Sequence, residues 1–308
     1  MYIKTVNYVV FGGEFMKKYV KDCIDSLNDE YNFPNTYKQT MYEICNLFSC
    51  DEIEKILSNY KSTEEYDYPA MTALAKELSV KYNVHLFCVY LFILTILVPR
   101  LKDFYKRTGV SDKIAYDTIL GIYYKYKWTY GIFKVDGVRG WGWAKLIFSG
   151  KTYRIGRFEY EISEFLFDEY QKDGNVVKKG EPVLNIHIPD TKEPIIKEIR
   201  KESYELAKEF FRERFNNKPI PFVCFSWMTC PYNEQLMSPT SNVIDFMRDF
   251  EIIKVEDFDD FNEVSPFVFN SVHVEIETMP QETSLQRNIK KYLLEGKKLG
   301  RGYGIFFK

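Results

Sequence analysis

Three polar side chains in the second half of the chain have the types needed for proton transfer and for polarising a carbonyl group. His187 stands at the end of an apolar stretch, and a neutral imidazole can accept a proton from an amine near neutral pH. Glu159 is an alternative base, and the hydroxyl of Ser226 could donate a hydrogen bond to a carbonyl oxygen. The structural alternative for His187 is a ring that only hydrogen-bonds to backbone at a strand end.

Arg157 precedes two glutamates at a spacing that is typical of one strand face. Side chains alternate along a strand, so Arg157, Glu159 and Glu161 are predicted to point the same way. In a cleft, Arg157 could hold an anion and either glutamate could act as a base. On a solvated face the three would instead form cross-strand ion pairs.

Charge is unevenly distributed near the C-terminus. Residues 251–263 are mainly acidic and residues 287–308 mainly basic, which predicts either two solvated faces or an anion site near the tail. Arg287 begins a predicted helix, where the helix dipole disfavours a cation unless a negative group compensates. It is therefore an anion contact or the partner of the acidic segment. Trp227 could form the wall of a pocket.

Composition excludes several classes of protein. The 308 residues, 45% apolar and 28% charged, predict a folded chain of one or two domains. A net charge of −2 argues against binding nucleic acid through a basic surface. The six cysteines form no C-x-x-C pair and have no histidine at zinc-ligand spacing, so neither a metal site nor a disulfide framework is predicted. No Gly-x-Ser-x-Gly elbow supports a serine nucleophile.

The most apolar run of the chain is Leu86–Val98. As a helix it would be about 20 Å long, too short for a hydrocarbon core of about 30 Å. Pro99 is predicted to end it, so the run indicates a buried core helix and no membrane span. Without a recognisable signal peptide, we expect a cytoplasmic protein with reduced cysteines that acts on a small molecule.

The chain changes character near residue 135. Between Gly13 and about Tyr130, apolar residues recur at helical spacing, and Ser49–Glu52 is a capping box. Later, glycines accumulate and apolar residues recur at every second position. We therefore predict an α+β protein, with an all-helical domain over residues 1–135 and a mixed α/β sheet domain over residues 136–308.

Several elements of the second half can be predicted individually. A βαβ unit is expected from strand 183–188, helix 198–215 and strand 222–227, which would give a parallel pair of strands. Thr283–Gln286 is a second capping box. Further strands are expected in the ranges that follow: 143–148 and 153–162 around a hairpin turn at Ser149–Lys151, then 251–255, 267–270, 272–275 around His273, and 303–307.

Six ordered blocks between about residues 145 and 308 resemble bacterial proteins with a GNAT-like acyltransferase domain. The longest is Leu146–Glu161, read as LIFSGKTYRIGRFEYE. The remaining blocks are Leu184–Pro189, Ser203 with Ala207 and Phe210–Phe211, Cys224–Trp227, Ser241–Asn242 with Phe246 and Phe250, and Thr283–Arg287 with Gly302-x-Gly304. The helical first half is similar to the N-terminal domain of that family in pattern.

The resemblance implies a GNAT-like fold and transfer of an acyl group from acyl-CoA to an amine. His187 or Glu159 would be the base and Ser226 the carbonyl stabiliser, with Arg157, Trp227 and Arg287 around the cofactor. In that fold the pyrophosphate lies on backbone N–H groups in a glycine-rich loop, but segment 189–194 contains no glycine. A non-catalytic GNAT-like module that binds a small anion or a carbohydrate is therefore the alternative.

Overall fold

The computed structural model describes residues 13–258, 263–272 and 275–308. The chain divides into two compact units. One comprises the residues up to Asp112 together with Lys125–Ser149, and the other comprises Lys113–Tyr124 together with Gly150–Lys308. No helix in the described ranges is both long and apolar enough to cross a membrane.

The first half is helical, as predicted. Its helices are α1 (Gly13–Tyr31), α2 (Asn35–Leu47), α3 (Cys50–Ser58), α4 (Tyr68–Tyr82), α5 (Leu86–Arg107), α6 (Asp112–Phe133) and α7 (Trp141–Phe148). The predicted capping box is present, with the Ser49 side chain accepting from Glu52 N–H. Helix α5 is buried along most of its length, and α1, α2, α3, α4 and α7 pack against it. It therefore forms the core of the helical unit.

Two predictions in this half are wrong. Helix α5 does not end at Pro99 but continues to Arg107, because packing on all sides stabilises it across the one hydrogen bond that proline cannot make. Residues 143–148 are helical, not a strand. The buried side chains of α7 are Trp141, Ala144, Ile147 and Phe148, a spacing of three and one that places them on one helical face.

The second unit is built on a six-stranded sheet with the order β1-β2-β5-β6-β8-β7. Its strands are β1 (Thr152–Ile155), β2 (Phe158–Glu164), β5 (Pro182–His187), β6 (Pro221–Ser226), β7 (Glu251–Asp257) and β8 (Gly300–Phe307), and a separate hairpin consists of β3 (Glu169–Lys172) and β4 (Asn175–Lys178). Strands β5 and β6 are parallel and the other pairs are antiparallel. The predicted βαβ unit is confirmed, with α8 (Lys197–Phe211) as the crossover.

The remaining helices lie between or after the strands. They are α9 (Asn242–Met247), α10 (Ser265–Val268) and α11 (Ser284–Leu294), and the predicted capping box Thr283–Gln286 starts α11. Segment 267–270 is thus not a strand: Pro266 stands at the start of a helical turn, where its fixed φ is compatible with helix. Of the strand predicted over 272–275, His273 and Val274 lie outside the described residues.

The hairpin turn of this unit lies later than predicted. Ser149 caps α7, and the chain reverses at Gly156 and Arg157, between β1 and β2. Gly156 has φ = +63°, which glycine adopts without strain. A two-residue loop with glycine in its first position is typical of a type II′ turn. Arg157 therefore belongs to the turn and not to the strand face on which Glu159 and Glu161 lie.

Gly302 allows close contact between β8 and the turn after β6. A Cβ atom at Gly302 would lie 2.2 Å from the carbonyl oxygen of Thr229, and the Thr229 hydroxyl donates to the Gly302 carbonyl at 2.6 Å.

We expect Gly302→Ala to lower the free energy of unfolding by about 1–3 kcal/mol, measured by urea denaturation. The control is Gly142→Ala in α7, where a Cβ meets open space. Equal stability of both variants would contradict this account.

Candidate active site

A cleft opens between the carboxyl ends of the two parallel strands. Strands β5 and β6 pair at Leu184–Phe222 and Asn185–Val223. Beyond these pairs, β5 continues along β2 and β6 continues along β8, so the ends Ile186–His187 and Cys224–Ser226 follow different neighbours. Residues of both ends line a cleft with a volume of about 550 Å³. A cleft at the carboxyl ends of parallel strands is the usual ligand position in open α/β sheets.

The cleft has an apolar wall and a smaller polar side. The apolar contributors come from both strands and from α9, α10 and α11: Ile186, Ile188, Phe225, Trp227, Met228, Val243, Phe267, Val268 and Leu285. The polar contributors are Arg157, His187, Asp190, Lys192, Glu193, Ser226 and Thr283. A mainly apolar pocket with a few convergent polar groups is typical of small-molecule sites.

Four of the six candidate site residues meet in this cleft and two do not. Arg157, His187, Ser226 and Trp227 are among its lining residues. Glu159 lies on β2 directly opposite His187 but is only 3% exposed, and Arg287 lies on the exposed side of α11. Two of the lining residues that sequence reasoning missed lie two positions after helix caps: Val243 follows Ser241, and Leu285 follows Thr283.

His187 is held by polar side chains of its own sheet. Its Nε2 atom lies 2.8 Å from Glu161 Oε2, and the Asn185 amide also lies within hydrogen-bond distance of that carboxylate at 3.4 Å. Burial is the largest single influence and raises the pKa of the Glu161 carboxyl. The hydrogen bonds from His187 and Asn185 and the positive charges of His187 and Lys151 together lower it by more, so the net pKa lies below the ordinary value. The His187 side chain is 34% exposed, so one edge of the ring remains accessible.

Arg157 joins the β1–β2 turn to the segment that follows β5. Its guanidinium donates to the carbonyl oxygens of Pro189 at 3.1 Å and Glu193 at 2.9 Å. Burial lowers the pKa of this guanidinium, although an arginine remains charged at neutral pH. Arg157 therefore shapes the floor of the cleft through backbone contacts, while its Nε has no hydrogen-bond partner in the described part of the chain.

The carboxylates after β5 are paired. Asp190 forms an ion pair with Lys192 at 3.0 Å, and Glu193 forms one with Arg154 at 3.1 Å. Because a neighbouring cation offsets each negative charge, this segment repels an anionic ligand less than its sequence indicates.

Ser226 and Trp227 lie where β6 passes into a short 3₁₀ turn, Trp227–Thr229. The Ser226 oxygen accepts a hydrogen bond from Met228 N–H at 3.2 Å, so its own hydroxyl hydrogen can still be donated. Trp227 packs against a buried cluster formed with α11 on one side and lines the cleft on the other. Its carbonyl accepts from the Asn233 amide at 2.7 Å, which fixes this turn.

Arg287 does not contact the cleft. Its guanidinium donates to the carbonyl oxygens of Gln281 and Glu282, which precede its own helix. The cation is thus compensated by backbone carbonyls rather than by a bound anion. In the described part of segment 251–263, Glu256 and Glu263 pair with Arg301, and Glu251 pairs with Lys172.

The described ranges show no metal centre, and the cysteine nearest the cleft is not reactive. They contain no group of three or more His, Cys, Asp or Glu side chains that could hold a metal ion. Cys224 lies close to the cleft on β6, but complete burial raises the pKa of its thiol to about 12. A thiol with that pKa is not a nucleophile at neutral pH, whereas His187 lines the cleft and is partly exposed.

Solved structures with the same fold are known. The chain is similar to a tryptophan-to-alanine mutant of an acyltransferase in complex with octanoyl-CoA. The TM-score is 0.71 and the sequence identity 18%, over 92% of this chain and 87% of the other. A second similar structure is an acyltransferase in complex with decanoyl-CoA and teicoplanin, with a TM-score of 0.69, 18% identity and the same coverage. A third, an acyltransferase with decanoyl-CoA, has a TM-score of 0.62 at 18% identity, over 92% of this chain and 98% of that one.

No curated protein matches the sequence of this chain. A family model does. Residues 152–306, which run from the start of β1 to near the end of β8, match the model described as GNAT-like C-terminal domain. The match covers about half of the chain and includes the sequence blocks on which the resemblance was based, apart from the start of the first block before residue 152. The chain therefore belongs to the family of proteins with a GNAT-like C-terminal domain.

Proposed function

We propose that this protein is an acyltransferase that moves an acyl group from an acyl-CoA to an amine. The observation that carries the proposal is the cleft between the diverging ends of β5 and β6, with His187 at its edge. Strand ends that no longer pair with each other leave backbone N–H and C=O groups that can bind the amides of an extended ligand. The pantetheine arm of coenzyme A is such a ligand.

The polar side of the cleft fits the chemistry of aminolysis. The amine nitrogen would attack the thioester carbonyl carbon, and His187 would accept the proton that the nitrogen loses. The Ser226 hydroxyl could donate to the oxygen on which negative charge develops. When the C–S bond breaks, the proton passes from His187 to the departing sulfur, so the products are an amide and free coenzyme A.

The apolar wall supports a donor with an aliphatic chain. Phe225, Val243, Phe267 and Leu285 line the cleft together, and burying each methylene group is worth about 0.8 kcal/mol. The similar acyltransferase structures hold octanoyl-CoA and decanoyl-CoA. We therefore infer that a medium-length acyl chain binds more tightly here than an acetyl group.

Val243→Trp tests this proposal because it fills the apolar part of the cleft. We expect saturating octanoyl-CoA to stabilise the unaltered protein, by about 2.7 kcal/mol at a hundred times its dissociation constant, and to release free thiol when a primary amine is added. In Val243→Trp both effects should be lost for octanoyl-CoA. The control is Val176→Trp on β4, an exposed position of the separate hairpin.

The second candidate is a binding module without turnover. The absence of glycine from segment 189–194, where the resemblance places the pyrophosphate loop, favours it. It predicts that a small anion or a carbohydrate binds while no thiol is ever released. Failure of millimolar octanoyl-CoA and of millimolar acetyl-CoA to raise the melting temperature would count against the acyltransferase.

A further inference from the structure

His187 and Glu161 form a close side-chain pair, with Nε2 of His187 2.8 Å from Oε2 of Glu161. Glu161 lies on β2, two residues beyond the residue that pairs with His187, so the contact runs diagonally across the sheet. The Glu161 side chain is 15% exposed and the His187 side chain 34% exposed. The glutamate is thus the inner member of the pair and the histidine the member at the cleft.

The protonation states follow from the hydrogen bonds. Contacts from His187 and Asn185 favour the ionised form of the Glu161 carboxyl, whose pKa lies below its usual value. An ionised carboxylate can only accept hydrogen bonds, so the proton in this contact is on Nε2 of the imidazole. The Asn185 amide nitrogen also lies 3.3 Å from Nε2, and with Nε2 protonated it donates to the Glu161 carboxylate at 3.4 Å instead. In the neutral ring the other nitrogen, Nδ1, then carries the lone pair. Nδ1 has no hydrogen-bond partner among the residues that the structure describes.

We propose that Glu161 is a positioning residue that holds His187 as the Nε2–H tautomer and so presents Nδ1 to the acceptor amine. This inference rests on the proposed function, because it assigns the nitrogen that receives the proton in that reaction. Glu161 itself does not touch the substrate. Once His187 has taken a proton, the same carboxylate stabilises the imidazolium by charge.

Other charged groups surround the pair and remain the same in the Glu161 variants below. Two other carboxylates lie on β2, Glu159 and the exposed Glu164, and Lys151 lies close enough to Glu161 to lower the pKa of its carboxyl. The charged residues that share the cleft with His187 are Arg157, Asp190, Lys192 and Glu193. Asp190, Lys192 and Glu193 form the ion pairs described above, and Arg157 donates to backbone carbonyl oxygens.

Glu161→Gln tests the proposal, since it removes the charge and keeps the shape. Imidazole nitrogen NMR reports the tautomer directly, and the chain has only three histidines, so the His187 signal can be assigned with a His187→Gln sample. We expect the Nε2–H form to dominate in the unaltered protein. In Glu161→Gln the Nε2–H form should lose its dominance, because a neutral amide can donate to the ring as well as accept from it. We expect kcat to fall about tenfold while the donor KM stays unchanged.

The matched control is Glu164→Gln, an exposed glutamate at the end of the same strand, which should leave both the tautomer ratio and kcat in place. Glu161→Asp keeps the charge and should restore part of the preference for the Nε2–H form. A dominant Nδ1–H tautomer in the unaltered protein, or an unchanged tautomer ratio in Glu161→Gln, would overturn the proposal even if amines are acylated. If the Glu161–His187 pair shows the expected tautomer but no acyl-CoA is consumed, the positioning role of Glu161 stands and the proposed function is contradicted.

Discussion

Replacement of His187 by glutamine should lower kcat for acyl transfer by about 10²–10⁴-fold and leave the affinity for the acyl donor nearly unchanged. Glutamine retains an N–H donor for the Glu161 carboxylate, so the variant does not leave that buried oxygen without a partner. Its amide, however, does not accept a proton near neutral pH. Single-turnover measurements of amide formation, together with donor binding by calorimetry, separate the two effects.

His187→Gly supplies the second arm of this experiment. Removing the ring leaves a space at the cleft edge, and added imidazole should restore part of the rate if the loss is one of proton transfer. A structural defect would not respond to imidazole. If His187→Gln keeps kcat within about threefold of the unaltered protein, the base is another residue, because loss of a general base costs far more than that.

Glu159 was the alternative base predicted from the sequence, so its variant is compared with His187→Gln. It lies opposite His187 on β2, is 3% exposed and is not among the residues that line the cleft. A carboxylate in this position can influence the charge of the histidine but cannot reach an amine in the cleft without rearrangement. We therefore expect Glu159→Gln to lower kcat by much less than His187→Gln does.

Local patterns were enough to predict the elements that position the site. A β-rich run before a helix with an apolar side, followed by another β-rich run, gave β5, α8 and β6 and therefore the parallel pair. The capping boxes at Ser49 and Thr283 were also correct. These features depend on hydrogen bonds and side-chain periodicity within about fifteen residues, which a sequence records directly.

Features that depend on distant contacts could not be predicted in the same way. Segment 143–148 was predicted to be a strand, and it is the burial of one helical face against the rest of the unit that makes it a helix. The basic residue Arg287 suggested a bound anion, but two preceding carbonyl groups satisfy it. The walls of the cleft contributed by α9, α10 and α11 come from sequence positions far from β5, so no local pattern links them to His187.

Arg200 is a residue that sequence reasoning did not single out, and its loss should destabilise the domain that carries the cleft. It lies on α8 with a fully buried side chain, and it contacts the carboxylates of Asp245 and Asp249 and the carbonyl oxygen of Ile195. Asp249 also accepts from the Tyr204 hydroxyl at 3.1 Å. The guanidinium thus connects the start of α8 to α9, the helix from which Val243 enters the cleft.

We expect Arg200→Met to lower the free energy of unfolding by about 3 kcal/mol, because a buried ion pair that loses one partner leaves charge without compensation. Arg212→Met, at an exposed arginine that pairs with Glu209 within the same helical segment, should change it by less than about 1 kcal/mol. Urea denaturation at neutral pH measures both. A loss below about 1 kcal/mol in Arg200→Met would contradict the structural role.

The difference in unfolding free energy between the unaltered protein and Arg200→Met should become smaller at acidic pH. The hydrogen bond from Arg200 lowers the pKa of Asp245 in the folded state below its ordinary value. Such a carboxylate stabilises the fold above its unfolded pKa, and this contribution is lost as the pH falls through the folded pKa. The unaltered protein should therefore lose stability on acidification faster than Arg200→Met. Because α9 depends on the same contacts, Arg200→Met should also weaken donor binding at neutral pH. His187→Gln should leave donor binding unchanged. The two variants therefore distinguish residues that support the cleft from the residue that performs the chemistry in it.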